Sequence, residues 1–310
     1  MLDLVKLATL RAVLEHGSFS AAAQALSLTQ PAVSRQVSLL ERQLGTPLVR
    51  RTQRGALPTE AGELLAGHAQ AILARAELAE RQVSAFAGLR AGHVRLGSFL
   101  SALVHLSSAL AVELEAGHPE LFEAQAHVIE DELVDRATAF ERLASGALDL
   151  AIVFEHGFEP HPAPAGIELE PLFEDRACAL LPAGHPLARR RRIRLADIAQ
   201  DVWIRAHHGS ACRQLDHAIE SAGLRPTLLL AGHGDEPVEA QALIAAGRGV
   251  TLAHELNVII EPRRIAQVPL APGEAPPRAV QAAVATGHRA PATIAALEAL
   301  RRVAARHPVG

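Results

Sequence analysis

SFSAAAQALSLTQPAVSRQVSLLERQLGTPLVRR, residues 18–51, reads as two short helices joined by a tight turn. Ser18 is placed to cap the first, because its hydroxyl can accept from a free N–H of the opening turn. Phe19, Ala22, Ala23 and Leu26 recur at spacings of three and four and give that helix one apolar face. Ser27, Leu28 and Thr29 interrupt the pattern. Pro31 falls in the first turn of the next helix, where its missing N–H costs nothing. Val33, Val37, Leu40 and Leu44 then form a stripe to be buried, and Gly45 is a residue type that tolerates a left-handed cap.

A stripe facing inward turns Gln30, Ser34, Arg35 and Ser38 outward. Arginine pairs bidentately with guanine and glutamine with adenine, so this exposed set suits the edges of base pairs in a major groove. An ordinary amphipathic helix would also carry solvated polar groups there. The residues that follow argue for the groove: Arg50, Arg51 and Arg54 lie in a turn-rich stretch, RRTQRGALP, that suits a wing along phosphates. Between residues 27 and 54 five arginines stand against one acid, Glu41.

Upstream, Leu7, Leu10, Val13 and Leu14 give a first helix one apolar face, and Gly17 stops it. Downstream, Thr59 opens a long helix with Glu60 and Glu63 in its first turn, where acids favour the dipole. Leu65, Ala69, Ile72, Ala76, Ala79, Val83 and Phe86 follow a heptad seam that calls for a partner helix. From Thr59 to about Gly88 such a helix is about 45 Å long, which favours dimerisation over packing on the chain's own body. Two copies about a two-fold axis would read inverted half-sites.

After a short hinge, GLRAG (88–92), strands and helices alternate to the end of the chain. VRLGSF, EAQAHVIE and LDLAIVF (148–154) read as strands. HGFEPHPAPAG (156–166) reads as a crossover, RACALLP, VWIRA, TLLLAG and VTLAHE as strands of a second unit, RIAQVPLAPGEAPP as the crossing back, and RAVQAAVATG as a strand before a final helix. Two α/β units joined by two crossings leave a cleft, and ligands favour the C-terminal ends of such strands.

The stretch quoted above, followed by LPTEAG, resembles the N-terminal winged helix-turn-helix of the LysR-type transcriptional regulators. ASGALDLAIV, LIAAGRGVTL and LPAGHPLA are similar to that family's effector-binding half, which is like periplasmic binding proteins. The resemblance covers essentially the whole chain. It implies an α/β protein with a winged helix-turn-helix at 1–58, a linker and dimerisation helix at 59–90, and a two-lobed, periplasmic-binding-protein-like effector domain at 91–310. Lobe I is expected at about 91–160 and 268–310, lobe II at about 161–267. The function implied is a sequence-specific DNA-binding regulator, not an enzyme, that answers to a small molecule. Its partners would be operator or promoter DNA, an effector for which a carboxylate is a candidate, a second copy through the linker helix with dimers pairing into tetramers, and RNA polymerase.

DNA contacts are expected from Gln30, Pro31, Ser34, Arg35, Ser38, Arg50, Arg51 and Arg54. For the effector, the strand end Gly97-Ser98-Phe99-Leu100-Ser101 runs into a helix N-terminus, which suits a small anion; Ser101 could equally be only a cap. Ser98, Phe99 and Ser101 are expected contacts, with His207, Ser210 and, near Glu236-Pro237, Val238. Two departures from the family bear on this region. DELVDRATAFER is several residues longer than usual and could reshape the rim, and His254 stands where proline is more common.

Charge agrees with this division. Residues 1–90 hold ten Lys/Arg against seven Asp/Glu and the remainder 20 against 27, so a basic head of +3 sits on an acidic body of −7. The N-terminus has charges within its apolar run, at Lys6 and Arg11, unlike a signal peptide, and no continuous apolar run reaches the ~18 residues of a membrane span. A cytoplasmic location is expected. Two cysteines make neither a disulfide framework nor a zinc site; Cys212, near a helix start, could have a lowered pKa, with Cys178 as a distant redox partner. The 16 histidines, His156 with His161 or His207 with His208, lack metal-site spacing, and no cofactor is expected. The arginines at 189–192 and 194 could bind phosphate or be a solvated loop. A small-molecule binder whose head serves only assembly, and an enzyme on the α/β body, are the alternatives; no catalytic motif appears. Replacing Arg51 by Ala should weaken binding to all duplex sequences and flatten its salt dependence, and an unchanged slope in a titration would count against a phosphate contact.

Overall fold

In the computed structural model, residues 2–52, 55–86, 93–122, 128–231, 238–257, 259–287 and 289–306 are described, without the side chains of residues 51, 77, 78, 81, 82 and 84–86. The expected hinge 88–92, Arg54 and Glu236-Pro237 lie outside the described residues, as do the side chains of Arg51 and Phe86. The chain divides into two compact units, Met1–Leu89 with Glu141–Leu148, and Arg90–Phe140 with Asp149–Gly310.

In the N-terminal unit, α1 (Leu4–Glu15) is capped by Asp3, whose carboxylate accepts from the Val5 N–H at 2.9 Å. The Ser18 hydroxyl accepts from the N–H groups of Ser20 and Ala21 and starts α2 (Phe19–Ala25). Ser27, at φ +54°, makes the turn. Thr29, which in the sequence looked like part of the interruption, caps α3 (Gln30–Leu44) by accepting from Ala32 N–H. Gly45 ends that helix at φ +71°.

Val33, Val37 and Leu40 are buried as expected, but Leu44 is 41% exposed. The core that receives the stripe surrounds Leu40 with Leu7, Leu10, Leu48, Ala69 and Leu73, and Leu44 lies one turn beyond it. Strands β1 (Val49–Thr52) and β2 (Gly55–Pro58) form the antiparallel wing, with Val49 opposite Pro58.

Helix α4 (Glu60–Phe86) begins at Thr59, whose hydroxyl accepts from Gly62 N–H and donates to the Pro47 carbonyl. Its seam divides. Ala69 is fully buried in the core with α1 and α3, and Leu65 packs against that core, so these two expected partner contacts are intramolecular. Farther along, Ile72, Ala79 and Val83 are exposed, Val83 at 69%. A head this small has too little internal surface to complete its core without the first turns of α4.

In the second unit, β3 (Val94–Ser98) leads into α5 (Leu100–Gly117), whose turn at Leu103–Ser107 is π-helical. Then come β4 (Ile129–Leu133), α6 (Arg136–Ser145, whose residues from Glu141 on are grouped with the first unit), β5 (Leu150–His156) and β6 (Ile167–Asp175). With the later β12 (Arg278–Ala285) they form a five-stranded sheet in the order β4-β3-β5-β12-β6. Strand β3 runs parallel to β4 and β5, and β12 runs antiparallel to β5 and β6. Leu106, Leu110 and Leu114 of α5 and Leu297 and Leu300 of the final helix (Pro291–Ala304) pack in its core.

The other lobe is built on β7 (Ala177–Pro182), β8 (Val202–Arg205), α7 (Ser210–Ser221), β9 (Thr227–Leu230), α8 (Val238–Ala245), β10 (Thr251–His254) and β11 (Ile265–Pro269). Strand β7 pairs antiparallel with β10 and β11, and β8 pairs parallel with β9.

Two expectations change. Residues 161–175 were assigned to lobe II, yet β6 completes the sheet of lobe I; β11 begins at Ile265 and pairs in lobe II through Pro269, past the expected return at 268. The crossings therefore fall at Asp175–Ala177 and between Pro269 and Arg278. The segment DELVDRATAFER is the end of β4 and the start of α6.

Two glycines in the head permit close backbone approaches. A Cβ at Gly62 would lie 2.0 Å from the Leu48 carbonyl oxygen, and one at Gly55 would lie 2.3 Å from that of Gly17, in a backbone at φ +133°. Gly62→Ala should destabilise the protein by about 1–3 kcal/mol through overpacking. Gly67→Ala, with nothing within 4 Å, should be neutral or mildly stabilising; equal melting temperatures for the two variants would contradict the steric account.

Candidate functional site

Two surfaces carry chemistry, one in each unit. In the head, Gln30, Pro31 and Arg35 are exposed and Ser34 and Ser38 half-buried along one side of α3, opposite the buried stripe. Arg50 is exposed on the wing. The single acid of the region is turned to structural use: Glu41 Oε1 accepts from the N–H groups of Leu48 at 2.9 Å and Val49 at 3.2 Å. This ties the C-terminal part of α3 to the start of the wing, so the polar side of the helix and the arginine-bearing strand are held in one frame. In the sequence nothing beyond its charge marks Glu41.

In the second unit a cavity of about 810 Å3 is lined by both lobes, including Phe99, Ser101, Phe154 and His156 from one and Ser210, Gln214 and His254 from the other. Of the six expected effector contacts, Phe99, Ser101 and Ser210 line it. Ser98 is fully buried, with its hydroxyl donating to the Phe99 carbonyl, and Val238 is 58% exposed at the start of α8. Neither they nor His207 lies on the cavity wall. Phe99, not Ser101, occupies the cap position of α5.

At the centre, Arg278 and Asp175 face one another as registered partners of β12 and β6, Nη2 to Oδ2 at 2.7 Å, both buried. Arg278 also donates to the Ser101 hydroxyl at 2.9 Å, and its guanidinium lies 4.6 Å and 4.8 Å from the ring centroids of Phe99 and Phe154. The other Asp175 oxygen accepts from Leu256 N–H of lobe II at 3.0 Å.

Arg136, from the segment that departs from the family pattern, donates to the carbonyls of Phe154 and His161 and to Gln281, with the Glu155 carboxylate at 3.8 Å. Burial lowers its pKa from the usual arginine value. Arg213 of α7 reaches Glu159 at 2.6 Å, and His217 stacks on Phe158 at 4.2 Å between centroids. Each of the three cavity arginines thus already faces a carboxylate. Arg136 and Arg278 were missed from sequence, because nothing local distinguishes them from surface arginines.

The His254 ring lies 5.3 Å from that of His156, tilted by 33°, and shares a 3.1 Å hydrogen bond with Gln214. Burial, then Arg278, then His156 hold its imidazole well below the ordinary 6.5. Among the described residues no group of three His, Cys, Asp or Glu could hold a metal ion. The lowered pKa expected for Cys212 is reversed: burial and Asp216 push its thiol up, and burial pushes Cys178 up strongly. Neither is a ready thiolate.

Because His254 stays neutral when folded and takes a proton when unfolded, its contribution to stability is full above about pH 6.5 and declines as pH falls below that. The stability of the wild type relative to His254→Gln should therefore decrease on acidification from about pH 7.5 to about pH 5. A difference in unfolding free energy that stays constant with pH would refute this.

Comparison with known proteins matches residues 4–63 to the bacterial regulatory helix-turn-helix protein, lysR family, and residues 87–305 to the LysR substrate binding domain. The chain is 26% identical over 245 residues to the HTH-type transcriptional regulator CysL of Bacillus subtilis, covering 79% of this chain and 78% of CysL. It is 30% identical over 251 residues to the HTH-type transcriptional regulator CbbR of Rhodospirillum rubrum, covering 81% and 78%. The fold matches the crystal structure of CbnR, a LysR family transcriptional regulator, with a TM-score of 0.74 over 98% of this chain and 99% of that one at 20% identity, and it matches CbnR complexed with its target DNA at 0.73 over 97% and 100%. With both family models matched in order, the second over most of the chain, this protein belongs to the LysR family of bacterial transcriptional regulators.

Proposed function

We propose that this member of the family reads a specific operator through α3 and regulates transcription in response to a small molecule held in the cavity between its lobes. The observation that carries the reading is the division of α3, with Val33, Val37 and Leu40 wholly inside and Gln30, Pro31 and Arg35 outside. Gln30, Ser34, Arg35 and Ser38 meet base edges, Pro31 the adjacent backbone, and Arg50, Arg51 and Arg54 the phosphates or the minor groove. CbnR has been solved with its target DNA, which supports the same use of the head here.

The exposed distal face of α4, with Ile72, Ala79 and Val83, pairs with a second copy, and dimers pair into tetramers. The protein acts in the cytoplasm, where its duplex lies, and contact with RNA polymerase would follow from promoter binding. The effector site is built on Phe99, Ser101, Ser210, Arg136, Arg278 and His254. Its arginines are already paired and its walls include Phe99, Phe140 and Phe154, which favours a ligand with substantial apolar surface. A carboxylate on that ligand would compete with Glu159 for Arg213, the most exposed of the three arginines.

Selection of duplexes from a random pool by the full-length protein should enrich one sequence with inverted half-sites. On that operator Arg35→Ala should cost about 1–3 kcal/mol of discrimination against random DNA. An equal loss on operator and random duplexes would refute base reading.

A further inference from the structure

About half of the described arginines in the second unit are paired with a carboxylate. Arg95, Arg136, Arg205, Arg213, Arg264, Arg278, Arg289, Arg301, Arg302 and Arg306 each face a carboxylate within 4 Å. Arg176, Arg225, Arg248 and Arg263 are exposed as single residues, whereas Arg189, Arg190, Arg191 and Arg192, with Arg194 beyond the buried Ile193, form a run. All five of the run are exposed, and none has an ion-pair partner among the described residues. They stand in a part of the chain that holds 27 acids against 20 bases, and the acids beside the run, Asp197 and Glu274, accept from the backbone N–H groups of Arg194 and Leu195.

The segment that carries them is held in place. Its turns close through Ala188 N–H to the His185 carbonyl at 3.0 Å and Arg190 N–H to that of Leu187 at 2.9 Å. His185 accepts from Leu187 N–H and lies 3.4 Å from the Asp201 carboxylate. Leu187 packs against the lobe core, Ile193 is 3% exposed, and Ile193 exchanges backbone hydrogen bonds with the strand end at Pro269 and Ala271. Both ends of the run are pinned, and only the guanidinium groups are left to solvent. A flexible solvated loop would need neither the pins nor the charge.

We infer that this arginine platform of lobe II is a second, sequence-independent contact for duplex DNA, made to phosphates flanking the operator. Guanidinium suits phosphate oxygens bidentately, and four or five of them in one place match the repeating charge of a nucleic-acid backbone. The inference rests on the reading that the head holds a duplex, since a molecule already bound presents further phosphate at high effective concentration. It adds affinity and footprint length without adding sequence discrimination.

The test uses the full-length protein and the variant with Arg189, Arg190, Arg191 and Arg192 all changed to Ser, on three duplexes: the selected operator alone, the operator extended by about three helical turns on each side, and a random duplex of the longer length. These side chains are exposed and carry no ion pair among the described residues, so the melting temperature should be unchanged. On the extended operator the variant should bind about tenfold more weakly at ~0.1 M salt, with a log–log salt slope shallower by about 2–4, each phosphate contact being worth ~0.9. On the bare operator the two proteins should be alike, because the flanking phosphates assigned to the platform are absent. The four-lysine variant, which keeps the charge, should retain most of the slope.

Equal binding of wild type and serine variant to the extended duplex would overturn the inference, as would an equal loss on the bare operator. An acidic protein as the true partner would give the first of these results. If the wild type enriched no sequence at all, base reading by the head would fail, yet a slope difference on the long random duplex would still support the platform.

Discussion

The buried pair between Asp175 and Arg278 stands where the chain leaves one lobe and returns to it. Asp175 closes β6 and Arg278 opens β12, so one ion pair joins both crossings. Burying two charges costs several kcal/mol each unless further hydrogen bonds satisfy them. Here those bonds do structural work elsewhere: Asp175 accepts from Leu256 in the other lobe, and Arg278 donates to Ser101 at the start of α5. Phe99 and Phe154 pack on the guanidinium and are themselves part of the cavity wall. The geometry of the hinge and the shape of the ligand site are thus properties of the same few atoms.

A comparable economy governs the head. Its core is too small to be closed by α1, α2 and α3 alone, and it borrows Ala69 and Leu73 from α4. The approach is close enough that Gly62 leaves no room for a side chain against Leu48. Because Leu65, Ala69 and Leu73 in the first turns of α4 are committed to the head, that part of the helix is used within the chain. The heptad pattern in the sequence is real, but its first positions close the head's own core and only later ones, Ile72, Ala79 and Val83, are left exposed. Spacing alone does not separate them, since a leucine buried against its own domain and one buried against a neighbour obey the same period.

Local physics explains where reading from sequence succeeded. Ser18 and Thr59 cap helices, Gly45 ends one in a left-handed conformation, and Val33, Val37 and Leu40 are inside. Each depends only on neighbours within a turn or two. The misses share a cause of the opposite kind. Strand β6 went unread because Pro171 interrupts it and its alternation is half exposed; an edge strand tolerates a proline that a central strand does not, and the register shifts between Val280 and Gln281 beside that proline. Leu44 fits its helical stripe and is exposed, because the core beneath it ends at Leu40. Ser98 and Ser101 sit three residues apart on the same strand-to-helix turn, yet only Ser101 reaches the cavity.

From the sequence by itself came the class of the fold, the two-helix motif with its outward polar residues, the basic head on an acidic body, and the existence of two crossings. These follow from periodicity, capping and charge, which are written in short segments. Tertiary structure alone decided which residues meet across the cleft. Arg136, Arg278 and His254 converge from α6, β12 and β10, more than a hundred positions apart in places, and no local rule assigns them to one another. Chain folding brings their partners to them, and burial then sets whether an imidazole stays neutral or an arginine keeps a carboxylate.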